Sequence, residues 1–133
     1  MYKVIPIVHV LSKLGMLYAF VLMLPTLVSY LYRDGTFTVF AGTACVTLVG
    51  SVLTWLATLK YDRELRPRDG FTLVFMLWLG FAAISSMPFY LYFPTISYTD
   101  AFFEAMSGLT TTGATVFSSL DTLAPTLNFW RHM

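Results

Sequence analysis

The chain has 133 residues, 57% of them hydrophobic and only 11% charged, with a mean hydropathy of +0.71. A soluble domain carries roughly a quarter charged residues, so eight basic and seven acidic side chains cannot keep this much apolar surface in water. A formal charge of +1, with no basic patch to neutralise phosphates, gives no support for nucleic-acid binding, and these bounds point to a membrane protein. The one cysteine, Cys45, cannot form an intrachain disulfide and, inside an apolar run, is expected to fill helix-packing space.

Leu14–Tyr32, LGMLYAFVLMLPTLVSYLY, runs 19 residues without a charge, close to the roughly 20 that cross a hydrocarbon core as helix. It is longer than a signal h-region and no small-x-small cleavage site closes it, so it reads as a retained anchor. Pro25 falls mid-span, where it should kink the helix and free a carbonyl near Val21. A tight RDG turn follows, with Gly35 supplying backbone freedom. Thr36–Leu59 then forms a second span, whose small residues Gly42, Ala44, Gly50 and Ser51 should admit a neighbouring helix closely. These two spans make an antiparallel hairpin over residues 1–66.

A third span, Phe71–Phe93, follows the charged loop KYDRELRPRDG. Pro88 near its end suggests a bend, and Phe89, Tyr90, Tyr92 and Phe93 fall at the depth of an interfacial aromatic belt. Lys60, Arg63, Arg66 and Arg68 in the loop, with Lys3 and Lys13 in the N-terminal tail, mark one side, whereas Arg33 stands nearly alone on the other. The positive-inside rule therefore places the N-terminus and the loop in the cytoplasm. These arginines could also meet anionic headgroups or a cytosolic partner. Asp62, Glu64 and Asp69 offset part of their charge, and topology alone accounts for them.

After the third span, SYTDAFFEAMSGL predicts a short helix over about 98–109, capped by Ser97 or Thr99. Ala101, Phe102, Ala105 and Met106 give it an apolar face. It is too short to cross a bilayer, which leaves an interfacial helix or a half-buried re-entrant one. Asp100 and Glu104 share a face and are expected as solvated residues at an outer mouth; a bracing role for Glu104 is the alternative. The loop 110–115, TTTGAT, is a poor helix former. At membrane depth such backbone is tolerated only if buried by protein or lining a polar cavity, where its carbonyls can replace the water shell of a monovalent cation. Gly113 can reach dihedrals that turn its carbonyl to the axis. The competing reading is a threonine-rich outer turn that binds nothing.

The block DAFFEAMSGLTTTGATV, Asp100–Val116, resembles the first pore loop of the bacterial Trk-type potassium uptake membrane subunit, in the wider Trk/Ktr/HKT superfamily. LNFWRHM, from Leu127, resembles the start of the helix after that loop, and RPRDGFTLV the beginning of the helix before it. The resemblance implies a potassium-channel-like fold in which four non-identical helix–pore-helix–helix repeats surround one pore. It implies that Gly113 takes the filter position for transported potassium, with Thr111 and Thr112 beside it and Ala114 and Thr115 flanking. It also implies the bacterial inner membrane, a cytosolic nucleotide-binding regulatory subunit and a homodimer.

The fold class expected is thus an all-α membrane protein: a transmembrane hairpin, then an incomplete pore repeat over 67–133. LNFWRHM cannot span, so the chain is expected to be an N-terminal part that transports nothing alone. An enzyme is not expected: His9 and His132 belong to no ligand-spaced cluster, with His9 placed in an interfacial tail, and no phosphate-cradling glycine loop or cofactor pocket is present. The alternative function is a small membrane scaffold whose Thr/Gly loop binds no ions.

Overall fold

The computed structural model describes residues 4–61 and 64–133; Lys3, Asp62 and Arg63 of the charge pattern lie outside them. Among the described residues six α-helices follow one another: α1 (Ile5–Val21), α2 (Met23–Tyr32), α3 (Phe37–Thr58), α4 (Pro67–Tyr92), α5 (Tyr98–Leu109) and α6 (Pro125–His132). Within these residues three stretches are long and apolar enough to cross a membrane: Ile5–Tyr32, Phe37–Tyr61 and Pro67–Tyr92. The protein is all-α and membrane-spanning.

The first span begins nine residues before the expected Leu14, at Ile5. Residues 5–11, IPIVHVL, are apolar and carry Pro6 in the first turn, where a proline's absent N–H is no loss. Lys13 is therefore an exposed residue within α1 and not in a tail; a single lysine does not stop a helix, because its long stem can carry the charge outward. His9 is likewise no tail residue. It is buried between α1 and α3, with Nδ1 2.9 Å from the Thr58 hydroxyl. Pro25 offers no N–H to the carbonyl of Val21, and the helix breaks one residue later, at Leu22. Just past the break the Leu22 carbonyl takes the Thr26 amide at a long 3.4 Å and the Thr26 hydroxyl at 2.8 Å.

The small residues of the second span divide: Ser51 makes the close approach, against Gly15 of α1, and Ala44 is buried in the core. Gly42 and Gly50 face open space, whereas a Cβ on Gly15 would collide with the Ser51 hydroxyl. Cys45, expected in helix-packing space, is exposed on α3. Arg33 ends α2 in the left-handed region (φ 52°) and Gly35 follows at φ 79°, which reverses the chain. α4 starts at Pro67, four residues early, because Asp69 accepts the Arg66 amide at 3.0 Å and returns its own amide to the Arg66 carbonyl. Arg68 thus sits in a helical turn.

Polarity is arranged for lipid. Phe20, Leu31, Val46, Leu53 and Phe71 are exposed, while Ser12, Thr43, Thr47 and Ser86 are buried. Each of these hydroxyls donates to a carbonyl of its own helix three or four residues back, so none of the four is left bare at membrane depth. A single core joins the hairpin to the later elements: Tyr18, Leu22, Phe40, Ala44, Phe89, Ala101, Leu127 and Trp130. Phe89 is part of that core and not of an outer belt; Tyr90 is exposed and meets Tyr98 edge-on at 5.7 Å.

Candidate functional site

The Thr/Gly loop hangs between α5 and α6, and both helices are firmly placed. Ser97 caps α5, its hydroxyl accepting the Asp100 amide at 3.1 Å and donating to the Asp100 carboxylate at 2.7 Å. At 12 residues the helix is about 18 Å long. Its buried face is Ala101, Glu104, Ala105 and Ser107, a mixture of small and polar residues.

α5 ends in a paired closure: the Thr112 amide donates to the Ser107 carbonyl (3.0 Å) and the Thr111 amide to the Gly108 carbonyl (3.1 Å). This pattern needs a left-handed residue just past the helix, usually glycine. Here it is Thr111, at φ 56°. A β-branched residue in that region is a true outlier, costing about 1–2 kcal/mol. Gly113, two residues on, is also left-handed at φ 76°, with nothing near the position of a Cβ.

Beyond Gly113 the loop is gripped by side chains. The Ser107 hydroxyl donates to the Ala114 carbonyl at 2.7 Å. Glu104 accepts the Thr115 hydroxyl at 3.0 Å and the Val116 amide at 3.1 Å, and the Thr115 oxygen takes the Phe117 amide at 3.1 Å. Glu104 is only 1% exposed. The expectation of a solvated carboxylate beside Asp100 is therefore corrected: Asp100 is exposed, but Glu104 turns inward to an ion pair with Arg131 of α6. A buried carboxylate is stable only when paired and fully hydrogen-bonded, and Arg131, Thr115 and Val116 meet that need together.

Arg131 touches a cavity of about 210 Å³ lined also by Tyr18, Ser85, Thr111 and Trp130. Tyr18 bonds to the Ser85 hydroxyl, and Trp130 Nε1 donates to the Ser85 carbonyl at 3.2 Å. Gly108 lets α5 approach α6: a Cβ there would lie 3.0 Å from the Arg131 carbonyl.

The singled-out loop residues thus divide. Ala114 and Thr115 are committed to Ser107 and Glu104. The carbonyls of Thr111, Thr112 and Gly113 accept no hydrogen bond among the described residues. Loop residues 110–116 are all exposed. No group of three or more His, Cys, Asp or Glu side chains gathers anywhere among the described residues, so the oxygen atoms on offer to a cation here are those of the backbone and hydroxyls. Arg131 and Ser107 were not singled out from sequence. The signal for Arg131 was available: it stands in LNFWRHM, which reads as the beginning of a membrane helix, where a charge needs a partner.

The family of cation transport proteins called TrkH matches residues 35–133. The chain is 40% identical over 126 residues to the Trk system potassium uptake protein TrkH of Vibrio parahaemolyticus, covering 94% of this chain and 26% of that protein. Against the protein of the same name from Escherichia coli K12 it is 39% identical over 129 residues, covering 96% and 26%. Against TrkG of that strain it is 32% identical over 126 residues, covering 94% and 26%. The crystal structure of the potassium transporter TrkH from Vibrio parahaemolyticus superposes with a TM-score of 0.88 at 38% identity, over 97% of this chain and 28% of that one. The chain spans about a quarter of the length of the curated relatives it matches. It belongs to the TrkH family of cation transport proteins.

Proposed function

We propose that the chain is the first part of a membrane-embedded pore for potassium uptake, with α5 as its pore helix and Thr111, Thr112 and Gly113 as one strand of the selectivity filter. The observation that carries this reading is the row of unclaimed carbonyls at 111–113, held between the closure of α5 and the grip of Ser107 and Glu104. A strained backbone maintained by its surroundings is what an ion clamp requires. Left-handed residues at 111 and 113 let successive carbonyls turn to one side, where a regular strand would alternate them. The negative end of the α5 dipole points toward the same loop and favours a cation. Potassium as the ion rests on the names of the relatives.

In the proposed topology the N-terminus and the α3–α4 loop are cytoplasmic, as Lys60, Arg66 and Arg68 favour. The filter then opens outward and is shared with further repeats that this stretch does not contain. A cytosolic nucleotide-binding regulatory subunit and a dimeric assembly complete the proposal, on the resemblance alone.

Uptake in cells lacking their own high-affinity potassium uptake tests it. The 133-residue chain is compared with the coding sequence extended downstream and with the extended form carrying Gly113→Ser. Rescue at low potassium is expected from the extended form only. A side chain at φ 76° is strained whatever the space around it, so Gly113→Ser should cut uptake or potassium-over-sodium preference. No cation flux from the extended form, or an indifferent Gly113→Ser, would leave the scaffold reading in place.

A further inference from the structure

The hairpin stands ahead of the repeat in the sequence, yet its turn reaches into it. Asp34 sits between α2 and α3. One carboxylate oxygen accepts the Ser29 hydroxyl at 2.7 Å, the Thr36 hydroxyl at 2.7 Å and the Thr36 amide at 3.1 Å. The other accepts the amide of Thr126, 92 positions away, at 2.9 Å. Thr126 lies in the first turn of α6, where amides have no partner within the helix and a carboxylate is favoured by the dipole. No side chain of α6 caps its own start, since Ala124 occupies that place. The cap is supplied by the hairpin.

The seat is built around that bond. Thr126 and Leu127 are fully buried, and Trp130 packs edge-on against Phe40 of α3 at 5.8 Å. Five residues beyond Thr126, about 7.5 Å along the helix, Arg131 meets Glu104, which holds Thr115 and Val116. A rigid turn and a half of helix therefore connects Asp34 to the gripped arm of the Thr/Gly loop.

We propose that Asp34 is a positioning residue for ion discrimination. By fixing where α6 begins, it fixes where Arg131 presents its guanidinium, and so where Glu104 holds the end of the filter strand. The hairpin is then part of the selectivity apparatus and not only an anchor. This rests on the filter reading above, and the test separates the two.

The experiment uses the downstream-extended protein in the same potassium-uptake-deficient cells. It measures membrane abundance, half-saturating potassium and the potassium-to-sodium uptake ratio for wild type, Asp34→Asn, Ser29→Ala and Gly113→Ser. Asp34→Asn keeps an acceptor for Ser29 and Thr36 but turns an NH₂ toward the Thr126 amide. At wild-type abundance it should raise half-saturating potassium or lower the ratio by roughly two- to thirtyfold, the range that coupled residues remote from a ligand exert. Ser29→Ala loosens the carboxylate while sparing the Thr126 bond, and should shift the same quantities less. If Asp34→Asn accumulates normally with both quantities unchanged, the proposal is overturned. If it only lowers abundance and Ser29→Ala shifts nothing, Asp34 is a folding residue and the proposal is again overturned. If Gly113→Ser leaves the ratio untouched, the filter reading itself falls and takes this inference with it.

Discussion

Glu104 and Asp34 hold the two ends of the stretch that runs from the Thr/Gly loop to α6, the first by the Val116 amide and the second by the Thr126 amide. They satisfy a carboxylate in different ways. Glu104 is buried and carries an arginine as counter-charge, whereas Asp34 is half-buried and accepts only hydroxyls and amides among the described residues. The difference follows from depth. Inside the bundle an ionised group needs a charge of opposite sign, but at a hairpin turn, partly wetted, oriented dipoles suffice. The two hubs should therefore fail differently.

The largest effect is expected from unpairing Glu104. Arg131→Met leaves its carboxylate buried without a counter-charge, a change that costs about 3–5 kcal/mol, and most of the extended protein should be lost from the membrane. Adding Glu104→Gln removes the stranded charge while keeping an acceptor for Val116, so the double variant should recover much of the stability. Thermal unfolding of the detergent-solubilised proteins reads both. Equal stability of the single and double variants would mean that the ion pair is incidental.

Asp34 should instead be broken by acid, and late. Burial alone would raise its pKa, but the hydrogen bonds from Thr126, Thr36 and Ser29 outweigh it and hold the carboxyl well below the usual carboxylate range. A depressed pKa contributes stability that is full above the unfolded value of about 3.9 and is lost as pH falls through the folded value. The melting-temperature gap between wild type and Asp34→Asn should thus stay constant from neutral pH to roughly 5 and close only below about 4. A gap that closed between pH 7 and 5 would sink this account.

The same contrast explains what the sequence disclosed. The three membrane-length helices were legible because uninterrupted apolar runs leave a chain few other choices. α5 was legible because Ser97 stands three residues before Asp100. The two hubs were not. Asp34 reads as an ordinary turn residue in RDG, and Glu104 reads first as a solvated helix carboxylate, with bracing of the loop only as the alternative. Their roles depend on Thr126 and Arg131, which lie 92 and 27 positions away, and no local pattern reports such a distance. His9 and Lys13 were misplaced for a related reason. A polar residue near an apolar run looks like its boundary unless a partner such as Thr58 is known.

The smallest effect sharpens the comparison within the loop itself, between the gripped arm and the free one. Thr111 closes α5 in a conformation that suits glycine. Thr111→Gly should relieve about 1–2 kcal/mol of strain and lose about 0.5–1 kcal/mol to the freedom of the unfolded chain, for a net gain of up to about 1.5 kcal/mol. The same freedom is released in the folded state, where the 111–113 carbonyls have no hydrogen bonds of their own among the described residues. If those carbonyls discriminate between ions, stability and selectivity should move in opposite directions: a slightly higher melting temperature with a lower potassium-to-sodium ratio. A strained threonine retained only by chance would give the first without the second. A threonine needed for folding would give a lower melting temperature, and the strain argument would fail.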